Sequence, residues 1–130
     1  MRLPLAIVAA LSFTPLAFAE SVLDGLWKRS PIILPDGTVV DPYKCSIGEA
    51  DGTIPVIGNT YRDAESNCTM SNPTSVRGMD AILYDVTCRG EWGSQTQREL
   101  WMLYRGAGDQ ERLLIVRPSS AAEFERCIPR

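Results

Sequence analysis

The 130-residue sequence contains no histidine, only two lysines, and no two cysteines close enough in sequence to share a metal. Each absence removes a class of chemistry. Without histidine there is no Ser-His-Asp or Cys-His apparatus. Without a C-x-x-C spacing the four cysteines do not form a zinc ligand set. No glycine-rich loop is present to cradle a phosphate, and nothing calls for a cofactor or a metal. The 13 basic and 16 acidic residues are scattered singly and in mixed sign, for a net charge of −3. There is accordingly no basic patch for nucleic acid and no amphipathic helix for a membrane surface. The longest apolar run, Leu3 to Phe18, is broken by Ser12, Thr14 and Pro15 and falls short of the roughly 20 residues needed to span a bilayer.

That run does fit a cleavable leader. Arg2 is its one positive residue, and Ala17-Phe18-Ala19 before Glu20 is a small-residue cleavage pattern, so residues 1–19 read as a secretory signal peptide and 20–130 as one β domain. No cysteine follows the cleavage site to take a lipid. A periplasmic or secreted protein is expected. Arginine outnumbers lysine eleven to two, which suits interface ion pairs and equally reflects codon bias in a GC-rich genome.

The rest of the chain is organised around Ala81 to Val116. AILYDVTC, RELWMLYR and ERLLIVR are short, rich in β-branched, aromatic and leucine residues, and separated by GEWGSQTQ and GAGDQ. They read as a β-meander. Ile82, Tyr84, Val86 and Cys88 fall on one face of the first strand, and Leu83, Asp85, Thr87 and Arg89 on the other. RELWMLYR is too short to stand as an isolated helix. In ERLLIVR both faces are apolar, which predicts a central strand covered on both sides. Upstream, Asp24-Gly25, Leu34-Pro35-Asp36-Gly37-Thr38, Asp51-Gly52-Thr53 and Gly58-Asn59 are turns between short strands. The tail SAAEFERC suggests one helical turn from Ser120 before a last extended piece. The pattern predicts an all-β domain, a small antiparallel barrel or sandwich.

In an exported domain, Cys45, Cys68, Cys88 and Cys127 read as two disulfides. A hairpin that opposes Met70 to Val86, with Asn72-Pro73 and Arg77-Gly78 in its connecting loop, sets Cys68 directly across from Cys88. Cys45 with Cys127 then ties the last strand to an early one.

Candidate chemistry is thin. Asp85, Glu91 and Glu99 lie near the meander and are the only carboxylates placed for acid-base work; isolated on strand ends, they read as solvated surface groups. Asp36-Gly37-Thr38 and Asp51-Gly52-Thr53 are fragments of calcium loops without the ligand spacing, explained by turn chemistry. Asn67-Cys68-Thr69 matches a glycosylation sequon in form only, beside a disulfide. Trp27, Trp92 and Trp101 either line a ligand cavity or fill a core. Trp92 differs, because it sits in the turn Gly90-Glu91-Trp92-Gly93 next to Arg89. Arg89, Glu91 and Trp92 have the composition of a recognition site, unless Trp92 folds back to cap the barrel.

Gly25-Leu26-Trp27, Glu65-Ser66-Asn67-Cys68, Val86-Thr87-Cys88-Arg89-Gly90-Glu91 and Glu125-Arg126-Cys127 together resemble a loose group of small exported four-cysteine β proteins of alphaproteobacteria. Gly-x-Trp ahead of a β-meander is also similar to the opening of lipocalin-type barrels and of small periplasmic inhibitors of secreted metalloproteases. The lipocalin likeness implies a carrier of a small apolar ligand. The inhibitor likeness implies an eight-stranded barrel whose N-terminal segment enters a protease cleft, and the chain departs from it in its four cysteines and in lacking a clear inhibitory N-terminus. The expected function is a binding or inhibitor module for another envelope protein, with the apolar-ligand carrier and a carboxylate enzyme as alternatives.

Overall fold

A computed structural model describes residues 22–45, 52–63 and 65–127. The expected leader and its cleavage site lie outside the described residues. Eight antiparallel strands close into a barrel: β1 (Gly25–Arg29), β4 (Thr53–Ile57), β5 (Thr60–Asp63), β6 (Ser66–Ser75), β7 (Ala81–Gly90), β8 (Gly93–Arg105), β9 (Glu111–Arg117) and β10 (Ser120–Arg126). β1 pairs with β10 on one side and β4 on the other, which closes the ring so that each of the eight strands pairs with two neighbours. Two short strands, β2 (Ile32–Ile33) and β3 (Val39–Val40), form a separate ribbon in the β1–β4 connection. No helix among the described residues is long and apolar enough to cross a membrane.

The meander β7–β8–β9 has the expected order, and its register follows from which side chains face inward. Met70 opposes Val86 and Cys68 opposes Cys88, and the bridge between those cysteines is present, as is Cys45–Cys127. Two such bridges are consistent with an oxidising, exported location.

Four local expectations are corrected. Asn72-Pro73 is not in the β6–β7 loop; it lies inside β6, where the register slips between Ser71 and Thr74 and Asn72 takes φ +51°. Proline has no N–H for the ladder, and a bulge is where a strand tolerates it. β8 is longer than RELWMLYR because Ser94–Gln97 pair residue by residue with β7 and the Thr87 and Thr96 hydroxyls bond at 2.9 Å. β9 is covered on one side only: Leu113 and Ile115 are buried, while Val116 on the other face is 37% exposed, since a closed barrel has no outer layer. Ser120 opens a strand and no helical turn, because Ser120 to Glu125 are taken up by pairing with β9.

The interior is filled. Trp27, Tyr61, Val86, Trp101, Leu113, Ile115 and Phe124 are all 3% exposed or less. Tyr61 lies 5.1 Å from Trp101, ring centroid to centroid, and Tyr84 meets the same indole edge-on at 6.4 Å. At the end where β1 begins, the Arg126 guanidinium sits 4.2 Å above the Trp27 ring. Arg126 also bonds Glu111 and the carbonyls of Val22 and Asp24, clamping the segment before β1 to the barrel end.

Candidate functional site

The ends of β1 and β7, the β5–β6 turn and the β9–β10 turn share the opposite end of the barrel, since successive strands in the ring are antiparallel. Arg89, Glu91 and Trp92 are brought together there. Gly90 pairs with Gly93, so only Glu91 and Trp92 lie in the β7–β8 turn. Gly93 takes φ +124°, a conformation side-chain-bearing residues avoid. Gly90 is required for a different reason: a Cβ there would meet the Glu65 carbonyl oxygen at 2.4 Å and Trp92 Nε1 at 2.6 Å. The indole edge therefore rests on Gly90 and against the β5–β6 turn. The rest of Trp92 faces water, and the residue is 54% exposed. It does not cap the core. Trp27 and Trp101 behave oppositely and belong to the core, at 0% and 1%.

Beside Trp92 lies a surface recess of about 760 Å³, bounded by Arg62, Asp63, Glu65, Asn67, Arg89 and Glu91. Its charges are of both signs. Trp92 is the one large apolar group in this wall, with charged and polar side chains around it.

Behind Trp92 a smaller recess of about 200 Å³ leads into the barrel mouth and ends on Glu99 and Arg117. Glu99 was expected to be a solvated surface carboxylate, and it is 1% exposed. The alternation that places Trp101 inward carries Gln97 and Glu99 with it. The Glu99 carboxylate accepts from the Tyr61 hydroxyl at 3.0 Å, the Gln97 amide at 3.0 Å, Trp101 Nε1 at 3.2 Å and Arg117 Nε at 3.3 Å. Burial disfavours the charge of Arg117, but Glu99, Tyr61 and Asp63 together outweigh it and leave the guanidinium pKa raised. Burial and then the Glu99 charge push the Tyr61 phenol far above its ordinary value. The buried charge is paired and hydrogen-bonded on every side, as an anion inside a barrel must be.

Asp85 does not converge with Glu99. The two lie on neighbouring strands at positions offset by one, Tyr84 opposing Glu99 and Asp85 opposing Arg98. Asp85 bonds Asn72 Nδ2 at 2.8 Å and approaches Arg98 at 3.6 Å on the outer face. Glu91 stands exposed in the turn. Of the three, Glu91 alone borders the larger recess at this end and Glu99 alone the smaller one. Among the described residues no group of three or more acidic, cysteine or histidine side chains is placed to hold a metal. Comparison with family models, with curated proteins and with solved structures returned no match.

Proposed function

We propose that this barrel is a binding module of an exported, oxidising compartment, the periplasm or the exterior, and that it engages another envelope protein through the β7–β8 turn as a binder or inhibitor. The observation that carries the reading is Trp92: 54% exposed, on a two-residue turn, seated on a glycine that admits no other residue without a clash. Large aromatics left in water at a fixed position are the residues on which interfaces concentrate their energy, and a rigid anchor loses little entropy on binding. Arg89 and Glu91 flank it as rim charges. The β2–β3 ribbon leaves the barrel at the same end on the opposite side of the ring, with Ile33 72% and Val39 62% exposed, which supplies a second apolar contact.

A carrier with its ligand in the barrel interior is less well supported. The interior is occupied by Trp27, Tyr61, Trp101, Leu113 and Phe124, and the recess at the Trp92 mouth, about 200 Å³, is polar and below the ~300–1,000 Å³ of ligand pockets.

The test is capture of a partner from an envelope extract by the oxidised protein, in parallel with Trp92→Ala. Loss of an anchor of this kind costs at least about 2 kcal/mol of binding, while stability should change by less than about 1 kcal/mol at so exposed a site. A Trp92→Ala protein that retains its partner, or one that unfolds, removes this turn as the site.

A further inference from the structure

The end of the barrel opposite Trp92 is built for something else. The residues before β1, the loop between β6 and β7, and the ends of β8 and β9 surround a recess of about 540 Å³, inside the ~300–1,000 Å³ range of small-molecule sites. Its apolar surface comes from Val22, Met79, Ala81, Ile82, Trp101 and Leu103. Ala81 and Trp101 are 2% and 1% exposed and form its floor. Because Trp101 packs on Tyr61 at 5.1 Å, the recess ends there and does not run through the barrel. Its rim is different: Val22 and Met79 are 53% and 52% exposed. An occupant would withdraw both of these, with Ile82 and Leu103, from water at once, and the driving force grows with that area.

The charges around the recess limit what the occupant can be. Arg105 bonds the Asp109 carbonyl at 3.1 Å and lies 3.8 Å from its carboxylate. Glu111 is held by Arg126 at 2.9 Å, and the Tyr104 hydroxyl donates to Glu123. Most of the polar rim is thus bonded within the chain. Among the described residues lining the recess, Ser75 and Asp80 make no such side-chain bond, and the exposed Asp80 carboxylate stands at the entrance with no ion-pair partner. A protein partner needs about one hydrogen bond per 100–200 Å² of interface, and this rim has few groups left to supply them. A small molecule held by apolar contact has no such need.

We propose that this recess binds a compact apolar molecule, aromatic or branched in shape, that carries no negative charge. The closed floor rejects a long straight chain, and the Asp80 carboxylate rejects an anionic head group. Met79, unbranched and polarisable, lets the wall adapt to the shape presented. The site lies at the other mouth from Trp92 and is independent of the protein-binding reading.

Two fluorescent dyes that share a ring system test it: uncharged phenylnaphthylamine, and anilinonaphthalene sulfonate, which adds an anion. Titrated into the oxidised full chain, the uncharged dye should bind one saturable site, about ten-fold tighter than the sulfonate. Met79→Asp and Val22→Asp, both at exposed positions, should each weaken the uncharged dye about ten-fold or more by replacing an apolar contact with a charge. Asp80→Asn should narrow the gap between the dyes, and Trp92→Ala should leave both affinities unchanged. Absence of saturable binding, equal affinity for the two dyes, indifference to both Met79→Asp and Val22→Asp, or loss of binding in Trp92→Ala would each overturn the proposal.

Discussion

Replacing Glu99 by leucine takes the acceptor from four donors at once: the Tyr61 hydroxyl, the Gln97 amide, Trp101 Nε1 and Arg117 Nε. Tyr61 and Trp101 are 2% and 1% exposed and cannot turn to water. The Arg117 side chain keeps 22% of its surface and can rehydrate in part. Removing one member of a buried ion pair costs about 3–5 kcal/mol, and the partial access of Arg117 places this case near the lower end. Against a total stability of about 5–15 kcal/mol, that is a large fraction, and it should lower the melting temperature by roughly 10–20 °C. Glu99→Gln keeps an acceptor oxygen but loses the charge opposite Arg117, and should cost about 1–2 kcal/mol. The double variant Glu99→Leu with Arg117→Leu removes both charges and should recover the part of the loss that comes from the unpaired guanidinium, while the Tyr61, Gln97 and Trp101 donors still lack an acceptor. Urea unfolding followed by tryptophan fluorescence reads all three, with Trp101 in contact with the altered site. A Glu99→Leu protein within about 1 kcal/mol of wild type, or a double variant as unstable as the sum of the singles, would refute the view that this carboxylate holds the mouth of the barrel together.

Gly90→Ala should lower stability by about 1–3 kcal/mol through overpacking and shift the Trp92 emission, since the added methyl meets the Glu65 carbonyl and the indole; an unchanged spectrum would contradict the seating of Trp92. Removing the Cys68–Cys88 bridge, which spans 20 residues, should cost about 3 kcal/mol, and removing Cys45–Cys127, which spans 82, about 4.5 kcal/mol; denaturant unfolding of the paired serine variants checks the order, and peptide mapping without reduction checks the pairing. Burial works against the Glu123 charge, but hydrogen bonds from Tyr104 and Arg112 prevail and hold its pKa below the ordinary 4.5. Its contribution is therefore complete at neutral pH and is lost as pH falls from 4.5 through the depressed folded value; Glu123→Gln should flatten stability over that acid range, and an unchanged pH profile would show that the interaction contributes nothing.

Much of the fold could be read from the chain because barrel strands obey a period of two. Once Val86 is taken as inward, Met70, Cys68 and Cys88 follow, and the disulfide with them. The Trp92 turn was legible for the same kind of reason, since two glycines around Glu91-Trp92 mark a tight hairpin end. Glu99 was not. Its inward position is implied by the spacing Gln97, Glu99, Trp101, but a carboxylate there is stable only with a cation, and Arg117 lies 18 positions away on β9, set beside it by the β8–β9 pairing. Tyr61, 38 positions off on β5, reaches it across the barrel interior. The expectations for β6 and β10 differ from the structure for separate reasons. Ser120-Ala121-Ala122 has a helix preference that holds in isolation and is overridden by pairing with β9, whereas Asn72-Pro73 keeps its turn-like shape and is accommodated as a bulge inside β6.

The two barrel ends differ in what fixes them, and that difference bears on what each can bind. The Trp92 turn closes β7 and β8 with two residues, and β7 is tied to β6 by the Cys68–Cys88 bridge only two positions before Gly90. Little there is free to reorganise, so binding to a protein surface would order few additional groups, and the aromatic area gained is not offset by lost entropy. At the other end the wall depends on Met79, in a loop of five residues that is anchored by the hydrogen bonds from Val76 N to the Ala81 carbonyl and from Leu103 N to the Asp80 carbonyl. Between those anchors the Met79 side chain can change rotamer without disturbing the barrel. Such a wall suits a ligand whose shape is met by adjustment of the site, whereas any partner of the Trp92 end would have to fit it as it stands.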